Sequence, residues 1–121
     1  MVVDDESDIL MITVRALEKY HFPVDSFNDP VKALARFEKY AGDYSLVLSD
    51  IRMPGMSGLE FLSFVKQVRP DIPIMVMTAY SASDDEIIRA VPWIKKEDIV
   101  HKPFRALEIC SAVKQMLNIT T

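Results

Sequence analysis

The chain contains a single cysteine, Cys110, and only three glycines among its 121 residues. One cysteine cannot form an internal disulfide, which is typical of proteins in a reducing compartment. No apolar run approaches the ~20 residues of a membrane-spanning helix, and the sequence shows no signal peptide. We therefore expect a cytoplasmic domain without a membrane partner.

Basic residues are too few and too scattered for a nucleic-acid interface. The 14 lysines and arginines face 18 acidic residues, which gives a net charge of −4, and the longest basic run is Lys95-Lys96. Since nucleic-acid binding requires a basic stripe or patch, we expect no direct nucleic-acid partner. Half of the residues are hydrophobic. This content and the chain length predict one globular domain over residues 1–121.

Strand-like and helical patterns alternate five times along the chain. The strand-like segments are residues 1–3, 23–27, 45–48, 72–77 and 99–101. Helical patterns follow them, with predicted starts at Ser7, Asp29-Pro30, Ser57, Ser83 and Arg105. Alternation of this kind predicts an α/β fold, (βα)5, with a parallel sheet covered by helices on both faces.

The helix signals come from caps and from apolar spacing. Ser57 with Glu60, and Ser83 with Glu86, have the spacing of capping boxes. Apolar residues at helical spacing are predicted to face the core, among them Val68 in the third helix and Leu107 in the last.

The most informative residues follow the predicted strands. Asp4 and Asp5 follow the first strand, Asp50 the third, Thr78 the fourth and Lys102 the fifth. Each alone has a plainer explanation: a solvated helix start, a turn residue, a β-branched strand end or a surface lysine. Because the carboxyl ends of parallel strands meet at one edge of a sheet, we expect all five to lie together in a ligand site.

Three clustered carboxylates repel one another, by about 4 kcal/mol for a pair ~4 Å apart at an effective dielectric near 20. Mg²⁺ removes this repulsion, because carboxylate oxygens are its preferred ligands. Lys102 and the Thr78 hydroxyl can bind an anion beside the metal. Asp50, flanked by these groups, is therefore predicted to accept a phosphoryl group. Gly55 and Gly58 would let the following loop turn sharply, although an ordinary turn is the plainer explanation.

The chain resembles the receiver domains of two-component response regulators over essentially its whole length. The motifs that carry this resemblance are VDDE (Val3 to Glu6), SDIRMPGMSG (Ser49 to Gly58), MTA (Met77 to Ala79) and KPF (Lys102 to Phe104). The resemblance implies a doubly wound, flavodoxin-like three-layer sandwich with a five-stranded parallel sheet in the order 2-1-3-4-5.

The resemblance also implies roles for individual residues. Asp50 would accept a phosphoryl group from a phosphohistidine on a sensor histidine kinase or a phosphotransfer protein. Asp5, Asp50 and the backbone carbonyl of Arg52 would bind Mg²⁺ directly, and Asp4 would bind it through water. Independently of the resemblance, the side chain of Arg52 is predicted to tune how fast phosphate arrives or leaves.

On the anion side, the resemblance implies that Thr78 and Lys102 contact the phosphoryl oxygens and that the Lys102–Pro103 peptide is cis. Phosphorylation adds negative charge and would draw Thr78 toward it. This would reshape the face formed by the fourth helix, fifth strand and fifth helix. A downstream effector, or an output domain absent from this sequence, would read that face, and the domain would be a monomer or a phosphorylation-dependent dimer.

Three features depart from the family pattern. Ile99 stands where an aromatic switch residue is usual, and Tyr80 is an alternative switch residue. Trp93-Ile94 replaces a common small-residue turn and is expected to pack inward rather than form a contact patch. Only three residues precede Asp4, so the first strand is expected to be cut short, with residues missing before it.

Two other functions remain open from the sequence. A phosphate-independent interaction module would keep the fold without the chemistry. Ile99 and the unusual Pro92-Trp93 stretch favour this alternative, and the complete set of strand-end residues opposes it. A phosphohydrolase of the haloacid dehalogenase type needs a second aspartate two residues after the nucleophile, where this chain has Arg52. We therefore expect a signalling domain and not an enzyme, with self-catalysed phosphoryl transfer and slow autodephosphorylation only.

Overall fold

The computed structural model describes residues 1–79, 87–89 and 91–118. The strands are β1 (Val2–Val3), β2 (Ser26–Phe27), β3 (Val47–Asp50), β4 (Ile74–Thr78) and β5 (Ile99–His101). The helices are α1 (Ser7–Lys19), α2 (Pro30–Tyr40), α3 (Gly58–Val68), α4, of which residues 87–89 are described, and α5 (Ala106–Met116). The proposed switch residue Tyr80 and the predicted capping box at 83–86 lie outside the described residues.

The five strands form one parallel sheet in the order β2-β1-β3-β4-β5. The predicted α/β class and strand order are confirmed. β5 has the predicted bounds, whereas β3 begins two residues later than predicted and extends to Asp50, so the charged residue is itself the last of the strand.

Helices cover both faces of the sheet and create two separate apolar cores. On one face Val47, Val76 and Ile99 pack with residues of α2 and α3 such as Phe37 and Phe61. On the other face Leu48, Met75 and Met77 pack with residues of α1 and α5. Alternate residues of a strand point to opposite faces, so neighbours such as Val47 and Leu48 belong to different cores. The three-layer arrangement therefore follows from near-continuous apolar strands.

Two of the predicted helix starts are capped as their sequences indicate. The Asp29 carboxylate accepts a hydrogen bond from the Val31 amide at 2.9 Å, with Pro30 at the first helical position. The Ser57 hydroxyl accepts one from the Glu60 amide at 3.2 Å. Both bonds satisfy amide groups that would otherwise lack a partner at a helix start. The second cap fixes where the loop after β3 ends.

Two residues predicted to face the core do not. Leu107 is 63% exposed and Val68 is 43% exposed. The buried stripe of α5 consists of Ile109, Cys110 and Val113. At ~100° per residue, Leu107 lies roughly 120° around the helix from Val113 and therefore faces outward. Val68 is the last residue of α3, and the buried stripe of that helix stops at Val65.

The segment before β5 packs inward, as expected. Ile94 is 1% exposed, and the half-buried Trp93 packs against the same core. β1 has two residues. Among the described residues, none of the helices combines the length and apolar character that crossing a membrane requires.

Candidate functional site

The sheet register brings the five strand-end residues to one edge. Val3 of β1 pairs with Ser49 of β3, so Asp4 and Asp50 lie side by side. Thr78 of β4 pairs with His101 of β5, and Lys102 follows directly. Asp4, Asp50, Thr78 and Lys102 are all buried, with exposed fractions of 0%, 6%, 4% and 8%, and Asp5 is half-buried.

Lys102 lies at the centre of this group. Its Nζ is 2.8 Å from Asp4 Oδ2 and 3.1 Å from Asp50 Oδ1. A third carboxylate, that of Glu6, lies 3.7 Å away and is largely exposed. The ammonium therefore links the ends of β1, β3 and β5. Glu6 belongs to the VDDE motif, but no role was predicted for it from the sequence.

The two adjacent aspartates that follow β1 have different surroundings. Both carboxylate oxygens of Asp4 have partners: Oδ2 accepts from Lys102 and Oδ1 accepts from the Glu6 amide at 3.0 Å. Asp5 Oδ1 is buried without a hydrogen-bond partner among the described residues. An unpartnered buried carboxylate oxygen is costly and indicates a missing cation or water.

Asp4, Asp5 and Asp50 could together hold a metal ion. Each offers an oxygen, and the three oxygens lie within 4.8 Å of one another. An all-oxygen, carboxylate-rich set suits a hard divalent cation such as Mg²⁺. The unpartnered oxygen of Asp5 fits a direct ligand. Asp4, whose two oxygens already have hydrogen-bond partners, fits contact through water. The residues present therefore fit Mg²⁺.

The charges of the site act on one another. Burial, together with the nearby charges of Asp4 and Asp5, raises the pKa of Asp50 from 3.8 to about 6, although Lys102 opposes the increase. Burial lowers the pKa of Lys102, but its hydrogen bonds and charge interactions with Asp4 and Asp50 outweigh this and raise it. The lysine is therefore a cation at neutral pH, and the Asp50 carboxylate is destabilised in its charged form.

Hydrogen bonds to main-chain carbonyls hold both ends of the loop after β3. The buried Ser49 hydroxyl donates to the Asp50 carbonyl at 2.9 Å, and the Gly58 amide donates to the Ile51 carbonyl at 2.6 Å. Gly55 has φ +84°, as a sharp turn requires, but Gly58 is needed for a different reason. A Cβ at Gly58 would lie 1.8 Å from the Asp50 carbonyl oxygen. The glycine prediction is thus right for Gly55, whereas Gly58 provides space.

A pocket of about 330 Å³ opens at this edge of the sheet. Its lining residues are Asp5, Glu6, Asp50, Ile51, Arg52, Thr78, Ala79 and Lys102. Arg52 is exposed at the pocket, and the Thr78 hydroxyl donates to the Ala79 carbonyl at 2.7 Å. The Lys102–Pro103 peptide is cis, as the resemblance implies. Ile99 is 9% exposed and lies within the core on the α2–α3 face, away from the pocket lining.

Comparison with known proteins agrees with this geometry. The chain matches the response regulator receiver domain family over residues 1–114, and it therefore belongs to that family. It is 32% identical over 117 residues to the sensor kinase CckA of Brucella abortus, covering 97% of this chain and 12% of the kinase. It is 28% identical to the response regulator receiver protein CpdR of the same organism, covering 97% of this chain and 94% of CpdR.

Solved structures are similar throughout the chain. The receiver domain of NtrX from Brucella abortus has a TM-score of 0.83 at 26% identity, covering 98% of both chains. A CheY-like receiver domain from Methanospirillum hungatei has a TM-score of 0.84 at 25% identity, covering 97% of this chain and 90% of the other.

The family defines a kind of function. Receiver domains are signalling modules of two-component systems rather than enzymes, and phosphorylation-dependent signalling is their general activity. They pair with sensor kinases and output domains and typically bind Mg²⁺ at acidic residues. The chain spans 12% of the sensor kinase and 17% of the NtrC regulator of Salmonella typhimurium that it matches, so those whole proteins have further parts.

Proposed function

We propose that this domain accepts a phosphoryl group on Asp50 from a phosphohistidine of a sensor histidine kinase or a phosphotransfer protein. One carboxylate oxygen of Asp50 attacks the phosphorus and forms an O–P bond. The P–N bond to the donor imidazole breaks, and the imidazole keeps its electron pair. The residues of the chain would position the Asp50 oxygen in line with the breaking P–N bond. They would also stabilise the negative charge on the phosphoryl oxygens during the transfer.

The observation that carries the proposal is the position of Lys102. Its ammonium is buried within 3.1 Å of Asp50 and 2.8 Å of Asp4, at the base of an open pocket. A buried cation beside a nucleophilic carboxylate is placed to neutralise charge on the transferring oxygens. Thr78 lines the same pocket and can donate a hydrogen bond to one of them after its hydroxyl leaves the Ala79 carbonyl.

Asp5 and Asp50, with the backbone carbonyl of Arg52, would hold Mg²⁺ directly, and Asp4 would hold it through water. The bound ion would supply charge neutralisation that Lys102 alone cannot provide for three carboxylates. The unpartnered Asp5 oxygen supports this assignment. Asp4 would keep Lys102 oriented, because its Oδ2 accepts a hydrogen bond from the lysine while its Oδ1 accepts one from the Glu6 amide.

Signal output would follow from Thr78. Its movement toward the phosphoryl group would shift the face formed by α4, β5 and α5, which a downstream effector or an output domain would read. Ile99 cannot act as an aromatic reporter of that movement, and its position in the core supports a packing role. Tyr80 remains the proposed alternative.

The remaining assignments are proposals of the same kind. Residues 1–121 would form one receiver domain that acts in the cytoplasm as a monomer or a phosphorylation-dependent dimer, without direct nucleic-acid or membrane contact. Turnover would be limited to slow autodephosphorylation, because Arg52 occupies the position where a hydrolase of the aspartyl type needs an acid.

Incubation with acetyl phosphate and Mg²⁺, followed by intact-protein mass spectrometry, tests the proposal. A single phosphoryl adduct that is absent in Asp50→Ala and without Mg²⁺ is expected. No adduct under any condition would instead support a phosphate-independent interaction module. Continuous release of phosphate without an adduct would support a hydrolase.

A further inference from the structure

The acceptor site contains one charged group that the proposed transfer does not use. Glu6 lines the pocket and its carboxylate lies 3.7 Å from Lys102 Nζ, with the side chain 61% exposed. The other two partners of Lys102 are buried side chains, at 0% and 8% exposed. Glu6 is therefore the solvent-exposed partner of Lys102, whose other two partners are buried.

The surroundings of Glu6 leave this carboxylate available to Lys102. Glu6 is the N-cap residue of α1, yet its side chain makes no capping hydrogen bond. Its backbone amide is fixed by Asp4 Oδ1 at 3.0 Å, which anchors the residue beside the pocket. The main chain is thus held in place while the carboxylate stays at the pocket entrance.

Phosphoryl transfer would change what Lys102 must contact. Before transfer the ammonium pairs with the Asp50 carboxylate, and afterwards the negative charge lies on phosphoryl oxygens further out in the pocket. Lys102 would then contact phosphoryl oxygens on the pocket side of its ammonium, which the Glu6 carboxylate also approaches. An incoming donor is also an anion, and it meets the Glu6 carboxylate at the entrance.

Resting on the function proposed above, we propose that Glu6 is a positioning residue that competes with the phosphoryl group for Lys102 and slows transfer from small anionic donors. For one exposed charge at the pocket entrance, we expect a change in rate of about three- to ten-fold at low salt. Neutralising Glu6 would free the outer side of Lys102 and remove a repulsive charge.

The test measures the rate of adduct formation by intact-protein mass spectrometry in saturating Mg²⁺ for the wild type, Glu6→Gln, Glu6→Asp and Glu18→Gln. The donors are acetyl phosphate and the less negative phosphoramidate. An Asp50 oxygen forms the O–P bond as acetate leaves with the electron pair of the broken P–O bond. With phosphoramidate, the same O–P bond forms as ammonia leaves with the electron pair of the broken P–N bond.

Glu6→Gln is expected to react about three-fold or more faster with acetyl phosphate, with a smaller gain for phosphoramidate. The gain should shrink as salt is raised to 0.5 M, because exposed charges are screened. Glu6→Asp should stay within about two-fold of the wild type, since it keeps the charge. Glu18→Gln, about 18 Å further along α1, should match the wild type.

Equal rates for Glu6→Gln and the wild type, while the wild type forms its Asp50 adduct, would overturn this inference and leave the proposed function intact. A gain that is independent of salt and donor charge would also overturn it, because a structural effect would not depend on either. Absence of any wild-type adduct would overturn both proposals.

Discussion

Gly58 lies against the main chain of Asp50, so close that a Cβ atom would come within 1.8 Å of the Asp50 carbonyl oxygen. The same carbonyl accepts the Ser49 hydroxyl at 2.9 Å. The start of α3 and the end of β3 thus pack tightly against each other at the main chain of Asp50. Any side chain at position 58 must displace backbone, which is costly in a packed interior.

Gly58→Ala is therefore expected to lower the free energy of unfolding by about 3 kcal/mol or more. Gly42→Ala is the matched control, because nothing lies within 4 Å of a Cβ there and its φ is not positive. The control should change stability by less than about 1 kcal/mol. Urea denaturation of the two variants measures the difference. Equal stabilities would show that the loop relaxes freely.

The raised pKa of Asp50 predicts a pH-dependent stability. The folded pKa of about 6 exceeds the ordinary value of 3.8, so between these pH values the folded state binds more protons than the unfolded state. Stability therefore falls as pH rises through this window. Asp50→Asn removes the effect, and in metal-free buffer its stability advantage over the wild type should grow by about 2 kcal/mol between pH 4 and pH 7.

Chemical denaturation at several pH values, with a chelator present, measures that advantage. Asp8→Asn is the control, because Asp8 is an exposed aspartate on α1 outside the pocket lining. The growth measured for Asp50→Asn should exceed that measured for Asp8→Asn in the same window. An advantage of Asp50→Asn that shrinks with rising pH would contradict the assigned cause.

Mg²⁺ should stabilise the wild type through Asp5. A ligand that binds only the folded state adds RT ln(1 + [L]/Kd), or about 2.7 kcal/mol at 100 times Kd. Asp5→Asn is expected to lose most of the Mg²⁺-dependent increase in melting temperature, because its amide is a much weaker ligand than the carboxylate it replaces. Asp8→Asn should keep it. Thermal denaturation with and without Mg²⁺ tests this, and an unchanged shift in Asp5→Asn would exclude Asp5 as a ligand.

Arg52 is expected to affect transfer rates without affecting the fold. It is exposed and lines the pocket, so its cation can attract an anionic donor. Arg52→Ala should slow adduct formation from acetyl phosphate by about two- to ten-fold or change adduct lifetime to a similar degree. Arg15→Ala, an exposed arginine of α1 outside this pocket, is the control. Unchanged rates of formation and loss in Arg52→Ala would refute the prediction.

His21 offers a test of local backbone strain. It ends α1 with φ 69°, and its amide donates to the Glu18 carbonyl while the Phe22 amide donates to the Leu17 carbonyl. This helix-ending pattern favours glycine, because a Cβ is strained at positive φ. His21→Gly should stabilise the domain by about 1 kcal/mol, whereas His21→Ala should not. Thermal or urea denaturation distinguishes them, and equal effects would contradict the strain argument.

Much of the fold and site could be predicted because both depend on periodic or register-controlled features. The apolar strands and capping residues predict the layers, and parallel pairing brings Asp4, Asp50, Thr78 and Lys102 to one edge. Features that depend on the path of a side chain or loop could not be predicted. The reach of Glu6 to Lys102 and the contact of Gly58 with Asp50 are of this kind.

The failed core predictions have a similar origin. Leu107 fits a helical spacing from Cys110, but the direction of a helix's buried face depends on how the helix is rotated against the sheet. In α5 that rotation places Ile109 and Val113 inward, and Leu107 is exposed. The spacing of apolar residues predicts a helix with one apolar face. It does not determine which residues lie at the middle of the face that is buried.

The ion pair between Lys102 and Asp4 joins positions 98 residues apart in the chain. Until a ribosome has synthesised and released that lysine, Asp4 and Asp50 have no ammonium partner from β5. The charged cluster at this edge of the sheet therefore assembles only when nearly the whole domain has been synthesised and folded. If Asp50 accepts a phosphoryl group as proposed, a chain that ends before β5 would lack the cation beside it.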